Sequence, residues 1–150
     1  MHEREQANPI YRQAKGWHLE LQHALALLSA CQLECDGLSN VIGAALQDAG
    51  IPFQLKHGRV CISDTGRVIA PHRWICLEDD WIIDLALRMW LSDDARYPHG
   101  VFQLASASPI VYQGDAIVLP AIPRGALWVM TDGVSDSLTL PDWSASTPAD

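Results

Sequence analysis

Residues 35–58 read CDGLSNVIGAALQDAGIPFQLKHG, and the fold class turns on this stretch. Leu38, Val41, Ile42, Ala45, Leu46 and Ala49 recur at spacings of three and four, which predicts an amphipathic helix opening at Cys35. Gly50 stands where a helix-terminating glycine belongs, and Pro52 prevents the helix from continuing. Asp36 and Ser39 are both candidate caps, so the helix start is open by a turn. A cysteine in the first turn feels the positive end of the helix dipole, which favours thiolate over thiol. Downstream, His72-Arg73-Trp74 sits in a strand-like run and is followed by Trp81-Ile82-Ile83-Asp84. Cysteine, histidine and aspartate are the three parts of an activated thiol nucleophile. Each has a plainer reading as well: a packed small residue, a surface strand residue and an exposed edge residue.

Upstream, Trp17, Leu21, Ala24, Leu25 and Leu28 form a second helical stripe. Phe53 to Leu55 and Arg59 to Ile62 read as strand, with Gly58 a bulge or turn between them, and Val68 to Leu77 and Trp81 to Leu85 as two more. Ala86 to Leu91 reads as a short helical turn. Further strands are expected at Val101 to Leu104, Ile110 to Tyr112, Ile117 to Leu119 and Leu127 to Met130, punctuated by Pro109, Gly114, Pro120, Pro123 and Gly125. Helices first and antiparallel strands afterwards make an α+β domain, with N-terminal helices packed on an antiparallel sheet. The expected boundaries are a polar segment over 1–15, the domain over 16–134 and a flexible, Ser/Thr/Asp/Pro-rich tail over 135–150.

Strand parity sets a condition on any joint role for His72 and Asp84. A two-residue turn at Asp79-Asp80 puts them on opposite faces of the sheet. An odd-numbered connection, such as Glu78-Asp79-Asp80, puts them on one face as diagonal neighbours, so a joint role demands a three- or five-residue connection or a bulge there.

Composition narrows the function classes. A chain of 150 residues, 49% hydrophobic, is one domain with a real core. A net charge of −8 with ten Lys and Arg argues against nucleic acid and against an anionic membrane surface as partners. Apolar runs fall short of the ~20 residues of a membrane span, and the charged N-terminus lacks a signal-like core, so the expected compartment is cytoplasmic. In that compartment the four cysteines, at 31, 35, 61 and 76, are expected to be reduced. Cys31-x3-Cys35 with Cys61 or Cys76 is a conceivable zinc set, but no second close pair supports it. Cys31, Cys61 and Cys76 read more simply as small packed residues. His18, His23, His57 and His99 have no comparable partner pattern.

The combination resembles the transglutaminase-like superfamily of papain-fold thiol enzymes over about residues 30 to 90. Cys35 opens a helix, Gly50-Ile51-Pro52 follows fifteen residues on, and Gly58 lies eight beyond Gly50. His72-x-Trp74, then Trp81, then Asp84 complete the pattern. Arg73 stands where the family has a small residue, and Leu85 follows Asp84 where the family often has proline. The resemblance implies a papain-like core and a Cys35-His72-Asp84 triad that cleaves an amide or isopeptide bond of a peptide or protein through a thioester, without cofactor or metal. Amine transfer to the thioester (transglutamination) and an inactive binding module of the same fold are the alternatives; an animal-type calcium-dependent enzyme does not fit the chain's size. The Cys35 backbone N–H is the first oxyanion donor, with Gln32 and Gln22 as candidates for the second. Trp74, Trp81 and Arg73 are candidates for the substrate pocket.

Overall fold

The structure, a computed structural model, describes residues 10–31, 33, 35–91 and 96–143; the side chain of Cys35 is outside that description. Strand β1 (Tyr11–Gln13) leads into helix α1 (Trp17–Leu25), which tightens into a 3-10 turn over Ala26–Ala30, and helix α2 (Cys35–Asp48) follows. Strands β2 (Phe53–Ile62), β3 (Arg67–Leu77) and β4 (Ile82–Asp84) come next, then the short helix α3 (Leu87–Leu91), β5 (Gly100–Leu104), β6 (Ile110–Ile117), helix α4 (Arg124–Met130) and a 3-10 turn over Val134–Ser137. All strand pairings are antiparallel, in the order β1-β5-β4-β3-β2-β6. This is an α+β architecture.

Helix α2 ends as its sequence dictates. Gly50 has φ +73°, its N–H bonds the Gln47 carbonyl at 3.2 Å, and the Ile51 N–H reaches back to the Leu46 carbonyl at 2.9 Å. These two bonds form a Schellman closure, which needs a left-handed residue that glycine supplies without strain. Leu46 and Ile51 then enter one buried cluster with Leu38, Val41 and Ile42. The exposed Ala49 falls outside the buried stripe.

The sheet separates two cores. Leu55, Ile75, Leu77, Ile83, Leu85 and Val101 face α1 and α2. The other face carries Trp74, Ile82 and Phe102, and, around Val60, Ile62 and Ile69, a cluster closed by Leu87, Leu91 and Tyr97. The sheet curls strongly around this second core. Phe102 on β5 and Tyr112 on β6 are four strand steps apart, roughly 19 Å in a flat sheet, yet their ring centroids are 6.2 Å apart. A register shift between Gly58 and Val60 marks an irregularity in the β2–β3 ladder, as expected near Gly58.

Four expectations are corrected. Leu127 to Met130 is helical, not a strand: Leu127 and Met130, three apart, pack on the main core while Trp128 and Val129 stay exposed. Ile110 to Ile117 is one strand running through Gly114, and 118–119 lie outside it. The segment over 1–15 includes Tyr11–Gln13, which pairs with β5 (Tyr11 opposite Leu104). Residues 135–143 are docked rather than loose, because Leu138, Leu140 and Trp143 supply apolar surface to the core, and Trp17 Nε1 donates to the Asp142 carbonyl at 2.8 Å. Residues 1–9 and 144–150 lie outside the described residues.

Candidate functional site

The connection between β3 and β4 decides where Asp84 points. Ile75 pairs with Ile83 and Cys76 with Ile82, so Leu77 faces Trp81 across a three-residue turn, Glu78-Asp79-Asp80. The Leu77 N–H bonds the Trp81 carbonyl at 2.8 Å, the Asp80 N–H bonds the Leu77 carbonyl at 3.1 Å, and Asp80 has φ +70°. A left-handed third residue is what a three-residue hairpin loop requires, and aspartate tolerates it better than most side chains. In this register Asp84 falls opposite Trp74, which leaves His72 as its diagonal neighbour on the same face.

His72 Nε2 and Asp84 Oδ2 are 2.7 Å apart, with the two side chains 0% and 1% exposed. Asp84 sits in the buried run Ile82 to Ala86, where an unpaired carboxylate would be costly. Both of its oxygens accept hydrogen bonds. Oδ1 accepts the Ala86 N–H at 2.8 Å, and Oδ2 accepts the Tyr112 hydroxyl at 2.8 Å as well as pairing with His72. Burial first, and then the Asp84 charge, pushes the Tyr112 phenol well above its ordinary range, so it remains a donor. The indole of Trp74 lies edge-on to Tyr112 at 4.9 Å and roughly parallel to the His72 ring at 6.1 Å. Gly114 makes room for it: a Cβ there would stand 2.8 Å from the Trp74 ring and 2.5 Å from the His57 carbonyl oxygen.

Arg73 projects from the opposite face, toward α2. Its Nε donates to His57 Nδ1 at 3.2 Å and lies 3.5 Å from Asp36 Oδ1, and its Nη1 donates to Asn40 Oδ1 at 3.5 Å. The first turn of α2 is thereby tied to β3 at the residue after His72. Arg73, expected in a substrate pocket, is placed as a clamp between strand and helix.

Gln22 accepts the Val101 N–H on its Oε1 at 2.9 Å, next to Gly100, which pairs with Asp84. Its side-chain oxygen is therefore occupied, and its amide N–H₂ is the group that donates. Trp81 is not brought to the pair. It stacks on the His18 ring at 4.1 Å, where His18 also meets Asp79 at 2.7 Å, about 16 Å along β3 from His72. Gln32 lies outside the described residues.

Cys31, Cys61 and Cys76 form no disulfide and are partly exposed, not fully packed. Cys31 Sγ contacts the Thr131 carbonyl at 3.7 Å, and Cys61 Sγ contacts Gln113 Oε1 at 3.9 Å. Burial, with Asp132 nearby, raises the Cys31 thiol; burial, outweighing Lys56, raises that of Cys76. Among the described residues no group of three or more His, Cys, Asp or Glu could hold a metal ion, and no helix is long and apolar enough to cross a membrane.

Tyr112 and the Asp36–Asn40–His57 setting of Arg73 were not predicted from the sequence. Tyr112 lies 28 residues from Asp84 and three strands away in sheet order, so only the curl of the sheet reveals it. A scan of protein-family models, a search of curated proteins and a search of solved structures each returned no match.

Proposed function

We propose that this chain is a transglutaminase-like thiol hydrolase with a papain-like core, acting on an amide or isopeptide bond of a peptide or protein. The observation that carries the reading is the buried His72–Asp84 pair at 2.7 Å, reached only because a three-residue turn sets the register. The placement of α2 adds support: its N-terminal turn, where Cys35 begins the helix, is held to β3 beside His72 by Arg73. Because α2 covers the face opposite to the pair, the reading requires the Cys35 thiol to meet the imidazole around β3 rather than through the sheet.

In this mechanism Asp84 holds Nε2–H of His72, which makes Nδ1 the nitrogen that exchanges a proton with the thiol. The Cys35 thiolate attacks the carbonyl carbon and forms a C–S bond. The C–N bond then breaks, and the departing nitrogen takes the proton from His72. Water, deprotonated by His72, opens the thioester to a carboxylic acid and restores the thiol. A primary amine in place of water gives transfer. The Cys35 backbone N–H, at a helix N-terminus, supplies one oxyanion donor, and the Gln22 amide is the described candidate for the second.

The near-complete burial of His72 and Asp84 favours a second reading, in which the pair and Tyr112 only stabilise the second core of a binding module. The two readings separate on incubation with activated short-peptide esters followed by intact-mass and peptide mapping. The enzyme reading expects one acyl adduct on the Cys35 peptide, absent in Cys35→Ala and discharged by water or an added amine. No adduct on Cys35 overturns it.

A further inference from the structure

Asp84 Oδ2 serves two partners: His72 Nε2 at 2.7 Å and the hydroxyl of Tyr112 at 2.8 Å. The phenol comes from β6, which the sheet order separates from β4 by β3 and β2, so the contact exists only because the sheet curls over its second core. Trp74 and Phe102 flank the Tyr112 ring at 4.9 and 6.2 Å and hold it in place. We propose that Tyr112 is a positioning residue of the His72–Asp84 pair, fixing which carboxylate oxygen meets the imidazole and weakening that oxygen's pull on it.

The physical basis is competition for one lone-pair region. A donor on a carboxylate stabilises its charge and lowers its affinity for a second proton-bearing partner. The Ala86 N–H engages the other oxygen, Oδ1, so Tyr112 is the side chain that bears on the His72 contact itself. Removing its hydroxyl leaves Oδ2 more negative toward the ring, and the imidazolium becomes more favourable. The sign is opposite to that expected for Asp84→Asn, which removes the charge. Other titratable groups set around this face are Cys76 on β3, Lys56 on β2, Asp80 in the β3–β4 turn, Tyr11 on β1, Arg88 on α3 and Tyr97 beyond it. They are unchanged by the substitution and act equally in both proteins.

The effect on His72 stands independently of catalysis; its consequence for Cys35 rests on the thiol-enzyme reading. The test is the titration of the His72 imidazole by nitrogen-15 NMR in wild type, Tyr112→Phe and Asp84→Asn. Tyr112→Phe is expected to raise the His72 midpoint by about half a pH unit or more, and Asp84→Asn to lower it. A midpoint in Tyr112→Phe that is unchanged or lower overturns the proposal, even if thermal stability falls. Should Tyr112→Phe not fold, replacing all three tyrosines biosynthetically by 3-fluorotyrosine keeps the shape and makes the phenol a stronger donor. The midpoint should then fall, and no change or a rise overturns the proposal. Alkylation of Cys35 against pH in Tyr112→Phe separates the two claims. If the His72 midpoint rises while the Cys35 profile stays fixed, the positioning role holds and the enzyme reading fails.

Discussion

Asp84→Ala removes a carboxylate that accepts from three donors: His72, Tyr112 and the Ala86 N–H. Each donor orphaned in a buried setting costs about 1–3 kcal/mol, so three give an upper range of about 3–9 kcal/mol. Two of them share one oxygen, which makes the sum less than additive and puts the expected loss near the lower end, about 3–5 kcal/mol. Against a typical domain stability of about 5–15 kcal/mol, that is a large share. Asp84→Asn is milder. Its oxygen can keep the Ala86 N–H, while the Tyr112 hydroxyl can rotate and His72 can change tautomer to accept from the new N–H₂. A loss of about 1–3 kcal/mol is expected. Equilibrium urea unfolding reads both, and for a urea slope of about 1–3 kcal/mol/M the alanine variant's midpoint should fall by about 1 M or more. An alanine variant that loses less than about 1 kcal/mol, or an asparagine variant that loses as much as alanine, would refute the three-donor account of Asp84.

Other consequences can be checked separately. Leu46→Ala opens a cavity under the Schellman closure of α2 and should cost about 2–5 kcal/mol in the same unfolding assay. Asp80→Val puts a β-branched residue at φ +70° and should cost about 1–3 kcal/mol. The hydrogen-bonded His72 Nε2–H should give a downfield proton NMR signal in the wild type, and its loss in Asp80→Val is expected because the turn holds the pair in register. Gly114→Ala drives a Cβ into the Trp74 ring and the His57 carbonyl, and should destabilise by about 1–3 kcal/mol or shift the Trp74 indole resonance. Cys76 and Cys31, raised by burial, carry less thiolate at neutral pH than a free thiol, so their alkylation should accelerate only at higher pH. Rates for both equal to that of a model thiol at pH 7 would contradict this.

What the sequence made legible was local. The α2 stripe and its Gly50 terminator, the parity condition on the 78–80 turn, and the nearness of His72 to Asp84 all rest on contacts within a dozen residues. Distant contacts were not legible. Tyr112 reaches Asp84 through a curl of the sheet, and neither the register irregularity near Gly58 nor the close β2–β6 approach at Gly58 and Gly114 announces that curl in a linear pattern. Trp81 belongs to the family-like spacing, yet its alternation sends it to the α1 side, onto His18. Leu127 to Met130 is a short apolar run that suits strand and helix equally by pattern; the helix brings Leu127 and Met130, three apart, onto the core together. The chain after 134 looked loose from its polar composition, while Leu138, Leu140 and Trp143 supplied enough apolar surface to dock it.

Cys35, His72 and Asp84 are proposed to act as one unit, and limiting alkylation read by peptide mapping across a pH series is the sharpest check on that proposal. Cys35 should be modified well before Cys31, Cys61 and Cys76, with a reactive-thiolate midpoint below the ~8.5 of a free thiol. That midpoint should move upward in Asp84→Asn and further in His72→Ala, with the circular dichroism unchanged. Equal labelling of all four cysteines in the folded protein, or a Cys35 profile that neither variant moves, would contradict the account.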